Sequence, residues 1–199
     1  EIFRQMFLPA LRESTEDMFG VLEGADLVVS HTLVAGSRLA AEVHGVRWIS
    51  AVMQPMGYLS AYEPPIVGPT WIAALLRAFG PNVTRVVYRP IRWLTGQWAS
   101  EWHSLRAEIG LPAVIEHPIW DGQHAKRRSL GFFPRALGMT QPDWPATARV
   151  TGFPFFHPSG RTLGNDVSEF LASGEPPLVF TLGTTAVHDP GSFYEESAA

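Results

Sequence analysis

The spacing of apolar residues in the first quarter of the chain alternates between helical and strand periods. It predicts four elements in this order: a helix over residues 1–23 with a break at Pro9, a strand over 26–30, a helix over 33–44 and a strand over 48–52. Gly45 directly follows the second predicted helix. Helices commonly end at a glycine in this position, because glycine adopts the left-handed conformation. Both strands are short and mostly apolar, as buried strands of a parallel sheet are. Residues 26–52 therefore form one predicted βαβ unit with parallel strands.

The rest of the chain continues the alternation of helices and strands. The pattern predicts two helical pieces between residues 70 and 110 that are separated at Gly80-Pro81, a helix over 165–173, and strands over 130–133, 149–151 and 178–182. Pro90 is expected to kink the longer helical piece. The run from Phe153 to Gly164 is rich in proline and glycine, and we predict that it is a linker. The fold class that follows is α/β, with helices between parallel strands.

The predicted strand over 178–182 ends in a turn whose residues suit a phosphate. Gly183 would let a ligand approach the backbone closely, and the hydroxyls of Thr184 and Thr185 add hydrogen-bond donors without adding charge. Asp189-Pro190 predicts the start of a helix after this turn. The single glycine matches neither the dinucleotide fingerprint nor the P-loop, so a plain strand-to-loop turn stays an alternative.

The carboxyl end of the predicted βαβ unit is a candidate ligand site, because ligands of parallel sheets bind outside that edge. His31 stands at the end of the first strand, and a proline-rich loop over residues 53–69 follows the second. We predict that an apolar pocket adjoining His31 is surrounded by Met53, Gln54, Met56, Tyr58 and Trp71. The alternatives are a surface loop packed on its own aromatic residues and a histidine that merely ends its strand.

Composition narrows the classes of function. Charged residues make up 17% of the chain and aromatic residues 12%, which favours a broad apolar cleft on the surface. The net charge of −4 argues against nucleic acid as the main partner. The chain has no cysteine, which excludes a disulfide framework and a thiolate metal site. No run of residues is apolar for long enough to span a bilayer, and no signal peptide is visible.

Two further features have competing interpretations. Arginines are spread along the helices predicted between residues 70 and 110, and a basic amphipathic helix can lie on an anionic membrane surface. The alternative is a solvated face whose arginine stems cover apolar neighbours. The segment 116–124 holds two histidines and Asp121, but Pro118 and Gly122 indicate a turn, and we predict no metal site there.

Several segments together resemble one enzyme family. Those that resemble its interdomain region are Asp143-Trp144-Pro145, Val150-Thr151-Gly152-Phe153-Pro154 and Pro177–Gly183. Those that resemble its acceptor domain are Asp26–His31 with Gly36 and Ala40-Ala41-Glu42, and Val52-Met53-Gln54-Pro55 with Leu59–Tyr62. The family is that of the bacterial UDP-glycosyltransferases of family 1, which have the GT-B fold and include macrolide, sterol and rhamnosyl transferases. The resemblance covers nearly the whole chain.

The resemblance implies an enzyme of two Rossmann-like domains, of which the chain holds a part. Residues 1–152 would be the later part of the acceptor-binding domain, 153–164 the linker, and 165–199 the start of the domain that binds the nucleotide sugar. The chain begins without methionine and ends inside a predicted helix, so we expect a fragment cut at both ends. We expect a cytoplasmic protein, with peripheral membrane contact as an additional interpretation, and no cofactor beyond a UDP-sugar that serves as co-substrate.

The reaction implied is transfer of a sugar from a UDP-sugar, or another nucleotide-diphosphate sugar, to a hydroxyl of a small apolar acceptor. Gly183, Thr184 and Thr185 would contact the diphosphate, and His31 falls where many members place an aspartate that orients the general base. The base histidine and the main donor signature would lie outside the chain, so the chain alone should transfer no sugar. A non-catalytic helper protein and a sugar-nucleotide epimerase of the same fold are the alternatives.

Overall fold

The structure is a computed structural model that describes residues 9–66, 69–156, 160, 162–183 and 186–198. The chain forms two compact units, Glu1–Pro154 and Phe155–Ala199. The division falls inside the run predicted as a linker. The assignment of the two sides to an acceptor domain and a donor domain stays a prediction.

The described part of the first unit consists of four parallel strands and four helices. Its elements are, in chain order, α1 (Leu11–Leu22), β1 (Leu27–His31), α2 (Ala35–His44), β2 (Arg47–Val52), α3 (Thr70–Phe79), α4 (Pro81–Glu108), β3 (Ser129–Gly131) and β4 (Ala148–Val150). The sheet order is β1-β2-β3-β4, and each pair of neighbouring strands is parallel. The predicted α/β class with a Rossmann-like parallel sheet is therefore confirmed.

The βαβ unit at the start of the sheet forms as predicted. β1 and β2 pair in a register that places Val29 beside Ile49 and His31 beside Ala51. Gly45 ends α2 with φ of 66°, a left-handed conformation that glycine adopts without steric cost. Because the strands all run in one direction, the carboxyl ends of β1, β2 and β3 meet at the same edge of the sheet.

Three clusters of buried side chains hold the first unit together. One joins α1 and α2 to the starts of the strands and contains Leu22, Val28, Ala40 and Ala41. A second lies near the strand ends and contains Val52, Tyr58, Phe133, Trp144 and Ala148. A third joins the end of α4 to α1 and α2 through Leu11, Leu39, Trp102 and Leu105. The second cluster lies beside the carboxyl edge of the sheet, so it gives the loops at that edge a rigid base.

The described residues of the second unit contain two helices and a short 3₁₀ turn: α5 (Asn165–Ala172), the turn Ala186–His188 and α6 (Phe193–Ser197). The strand predicted over 178–182 does not form, and Leu178, Val179 and Phe180 are all more than half exposed. A strand needs a neighbour for its backbone hydrogen bonds, and the described part of this unit offers none. The prediction from the apolar run was wrong in this respect.

The helix predicted to start at Asp189-Pro190 begins later. α6 starts at Phe193, after Ser192. Gly191, which lies between Pro190 and the start of α6, has φ of 53°. A continuous right-handed helix cannot contain this left-handed conformation. The chain therefore turns at this glycine, and the helix can begin only beyond it.

Candidate functional site

A cavity of 290 Å³ lies at the carboxyl edge of the sheet, and we call it the edge cavity. Among the side chains that line it are His31, Met53, Gln54, Met56, Ile119 and Gln123. None of the described residues in its lining is an aspartate, glutamate, lysine or arginine. The parallel register explains the position, because it brings the end of β1 and the residues after β2 to the same edge. A cavity with this lining accepts an uncharged, largely apolar molecule.

His31 supplies a hydrogen-bond donor to the edge cavity. The backbone N–H of Leu33 donates to Nδ1 of His31 at 3.2 Å. Burial lowers the pKa of His31, so its ring is neutral at pH 7. Because Nδ1 accepts a hydrogen bond, the proton of the neutral ring lies on Nε2. Within the described residues nothing partners this Nε2–H.

Gln123 adds a hydrogen-bond acceptor to the same lining. Its Nε2 donates to the backbone oxygen of Gly57 at 3.0 Å, which fixes the amide and leaves Oε1 as the acceptor. Gln54 and Thr32 contribute further polar groups to the lining. Such a small number of fixed polar groups in an apolar cavity orients a ligand more than it attracts one.

A tightly fitted turn forms one side of the edge cavity. The 3₁₀ turn Pro55–Tyr58 follows β2 directly, and Leu59 ends it with φ of 49°. A side chain at Gly57 would place its Cβ 2.7 Å from Cγ1 of Val52, closer than real Cβ contacts come. Only glycine therefore lets this turn pack against the end of β2.

Tyr58 lies in the core beneath the turn and does not line the edge cavity. Its ring stacks on Trp144 with centroids 4.0 Å apart and on His124 at 4.9 Å. Its hydroxyl is 3.1 Å from Oγ of Ser129, and burial raises the pKa of Tyr58. The predicted place of Tyr58 in the pocket lining was wrong because stacking on two rings turns the side chain inward.

Trp71 also lies away from the edge cavity. It is in the first turn of α3 and is 64% exposed. Of α3, only Ala73 is buried, so the helix offers no packing site for the indole. The structure thus brings Met53, Gln54 and Met56 to His31, as predicted, and places the two aromatic residues elsewhere. Whether the first three contact a ligand stays a prediction.

Asp143 fixes the loop that follows the turn. Oγ of Ser60 donates to its carboxylate at 2.6 Å, and the N–H of Ala61 does so at 2.7 Å. Tyr88 donates its hydroxyl to the backbone oxygen of Ser60 at 3.2 Å. Burial, with the Asp143 charge adding to it, raises the pKa of Tyr88 to about 12, so this donor keeps its proton at neutral pH. In the sequence Asp143 stands out only as part of a segment that resembles the glycosyltransferases, and no local signal predicts this role.

The segment 116–124 reaches the edge cavity through a compact turn. Asp121 forms an ion pair with Arg92, and Nε2 of His117 is 3.2 Å from Oγ1 of Thr95. Among the described residues, no group of acidic or histidine side chains has the arrangement of a metal site. The turn instead carries Ile119 into the lining of the cavity. No local sequence signal marks this residue as part of the site, because only tertiary packing brings the segment to the sheet edge.

Gly183, the predicted diphosphate contact, is exposed in the second unit. A Cβ at this position would meet no atom within 4 Å, so the structure itself does not require glycine there. Thr184 and Thr185 lie outside the described residues. Donor binding at these three positions stays a prediction.

A parallel α/β unit with a cavity at its carboxyl edge is consistent with half of a Rossmann-like glycosyltransferase. Sequence similarity identifies the chain as a relative of part of such an enzyme. The chain is 30% identical over 186 residues to O-mycaminosyltylonolide 6-deoxyallosyltransferase of Streptomyces fradiae, and the alignment covers 89% of this chain. It covers 41% of that enzyme, so the chain spans less than half the length of this relative. No protein-family model matches the chain. The resemblance to family 1 glycosyltransferases is confirmed.

Proposed function

We propose that the whole protein transfers a sugar from a UDP-sugar to a hydroxyl of a small apolar acceptor, and that the edge cavity holds this acceptor. The observation that carries the proposal is the uncharged lining of the cavity at the carboxyl ends of β1 and β2. A charged ligand would lose its hydration there without gaining an ionic partner, whereas an apolar ligand would not. Met53 and Met56 are flexible side chains that adapt to an irregular apolar shape.

His31 would position the acceptor rather than remove its proton. In a sugar transfer the acceptor hydroxyl loses a proton as it attacks the anomeric carbon, and the leaving nucleotide diphosphate gains negative charge. Nε2 of His31 already carries the proton of the neutral ring, so it cannot accept another without a change of tautomer. It can donate to an oxygen of the bound acceptor. The general base would then be a different residue of the whole protein, as the resemblance implies.

Because its Nε2 carries the proton, His31 differs chemically from the aspartate that many family members have at this position. An orienting aspartate accepts a hydrogen bond from the base and supplies a fixed negative charge. The Nε2–H of His31 can only donate, and the neutral ring supplies no charge. This observation supports a second candidate, a non-catalytic helper protein. The complete gene decides between them, because a helper would lack the upstream base histidine.

Replacing His31 in the full-length protein tests its role in acceptor binding. The His31→Phe variant loses the donor, and we expect acceptor affinity to fall about fivefold to tenfold, the value of one net hydrogen bond. The His31→Gln variant keeps an N–H donor and should lose less. Calorimetric titration with acceptor and with UDP measures both affinities, and the affinity for UDP should not change. Unchanged acceptor affinity in His31→Phe would contradict the assignment.

Replacing Gly183 tests whether the diphosphate is bound at Gly183, Thr184 and Thr185. A Cβ at position 183 would meet no atom within 4 Å, so we expect a valine there to leave the fold intact while blocking a ligand that approaches the backbone. We expect Gly183→Val to weaken UDP binding at least tenfold and acceptor binding hardly at all. Gly174→Val is the matched control, because a Cβ there also meets no atom within 4 Å. Equal UDP affinities of the two variants would exclude a donor contact at Gly183.

A further inference from the structure

The helices α3 and α4 expose an unusual amount of apolar surface. Between residues 71 and 94, ten large apolar side chains are more than one-third exposed. The most exposed are Trp71 and Phe79, both at 64%, and Trp93 at 71%. Exposed apolar area of this extent on consecutive helices marks a contact surface more often than it marks a solvated face.

The same stretch of sequence is purely basic in its charged residues. Residues 64–100 contain four arginines and neither aspartate nor glutamate. The remaining residues hold the other 11 lysines and arginines and all 19 acidic residues. A positively charged segment therefore lies in a chain whose other residues carry a net negative charge. Such a local concentration of positive charge indicates a contact with a negatively charged partner.

Most of these arginines have no ionic partner among the residues that the structure describes. Arg92 forms an ion pair with Asp121, but Arg77, Arg85 and Arg89 form none with any described residue. Arg85 lies over the ring of Tyr62 and donates to Asn82, contacts that leave its charge uncompensated. Three exposed guanidinium groups thus lie on the helices that carry the exposed aromatic rings.

We propose that α3 and the first half of α4, which we call the hairpin surface, dock on an anionic lipid bilayer. Exposed tryptophan and phenylalanine side chains insert at the level of the lipid headgroups, while arginines on the same helices pair with lipid phosphates. The proposed contact is peripheral, and in the described residues no helix has the length and hydrophobicity to cross a bilayer. This inference does not depend on the proposed sugar transfer.

Charge argues against a second copy of the chain as the occupant. In a two-fold symmetric dimer each hairpin surface would meet its own counterpart, which brings arginines toward arginines with no acidic residue from 64–100 to separate them. A bilayer with anionic headgroups offers negative charge and apolar depth together, which matches both properties of the hairpin surface. An acidic protein partner is the alternative occupant, and a protein that does not bind anionic vesicles would favour it.

Co-sedimentation of the full-length protein with lipid vesicles tests the proposal. We expect binding to vesicles of phosphatidylcholine mixed with phosphatidylglycerol, little binding to phosphatidylcholine alone, and release at high salt. The variant Arg77→Gln/Arg85→Gln/Arg89→Gln should bind anionic vesicles about 100-fold more weakly, since each arginine near such a surface contributes about fivefold. The variant Phe79→Gln/Trp93→Gln removes apolar contacts and should also bind more weakly.

The control variant is Arg127→Gln/Arg128→Gln/Arg135→Gln, which changes the net charge equally at three exposed arginines outside the hairpin surface. It should bind anionic vesicles as the wild type does, and circular dichroism should show that all variants are folded. If both arginine variants lost vesicle binding equally, the effect of charge would be non-specific and the proposal would be overturned. Failure to bind anionic vesicles, or equal binding to both vesicle types, would overturn it as well, and a protein contact would then have to cover these helices.

Discussion

Two apolar runs in this chain each lead into residues that the sequence predicts to bind a ligand, but only one of the two runs forms a strand. The first is β2 with its turn, residues 47–59, and the second is the Gly183 run, residues 178–183. β2 has a parallel neighbour on each side, and its last three residues are buried. In the Gly183 run, Leu178 is 85% exposed and no described residue pairs with the backbone as a strand. The two runs are similar in sequence and differ in what surrounds them.

The difference shows that a binding turn depends on the elements that hold it. After β2, Tyr58 is stacked between Trp144 and His124, so the residues beside it have fixed positions at the edge cavity. After the Gly183 run, a Cβ at Gly183 would contact nothing within 4 Å. The turn after β2 is therefore held in place before a ligand arrives, whereas no packed side chain surrounds the Cβ position of Gly183. Substituting one residue near β2 and a matched residue in the second unit therefore tests the difference.

The largest expected difference is between two phenylalanines. Phe133 is 0% exposed in the cluster beneath the edge cavity, and Phe180 in the Gly183 run is 52% exposed. We expect Phe133→Ala to lower the free energy of unfolding by about 3–5 kcal/mol and Phe180→Ala by less than about 0.5 kcal/mol. Chemical denaturation of the full-length variants measures both. A loss of more than about 2 kcal/mol in Phe180→Ala would mean that this run is buried in the whole protein.

The next comparison concerns two histidines and pH. Burial lowers the pKa of His124 to about 4, well below the ordinary value of 6.5. Between these two pH values the unfolded chain binds a proton that the folded chain does not, so stability falls as the pH falls from 6.5 toward 4. His124 therefore lowers the free energy of unfolding by about 3 kcal/mol at pH 4 relative to pH 7. Stability falls rather than rises in acid because the lowered pKa of His124 means that the folded chain favours the neutral ring.

Substitution separates His124 from other groups that titrate in acid. In His124→Gln the decrease in unfolding free energy between pH 7 and pH 4 should be smaller than in the wild type by about 3 kcal/mol. His188→Gln, which removes an exposed histidine from the second unit, should follow the wild-type profile. Parallel profiles for wild type and His124→Gln would show that the ring is hydrated rather than buried.

The sequence predicted those parts of the molecule that depend on local pattern. Helix and strand order in the first unit, the left-handed Gly45 and the meeting of His31 with Met53 follow from periodicity and from the geometry of parallel strands. It could not predict that Tyr58 turns inward, because that depends on stacking with Trp144 from a distant segment. The exposure of the Gly183 run was unpredictable for the same reason, since an apolar run does not show whether a partner strand exists.

The smallest expected effect compares two glycines and isolates the fit of the turn. A Cβ at Gly57 would lie 2.7 Å from Cγ1 of Val52, a buried side chain whose branched Cβ leaves it little freedom to move. Neither Gly57 nor Gly183 has a positive φ, so alanine is sterically costly only at Gly57. We expect Gly57→Ala to lower the free energy of unfolding by about 1–3 kcal/mol. Gly183→Ala should leave it unchanged or raise it by up to about 1 kcal/mol, because alanine restricts the unfolded chain. The Gly57 backbone also anchors Gln123 in the edge cavity, so acceptor affinity should fall together with stability. Denaturation and acceptor titration of the two variants test this, and a stable Gly57→Ala protein with normal acceptor affinity would show that the turn is not tightly packed against β2.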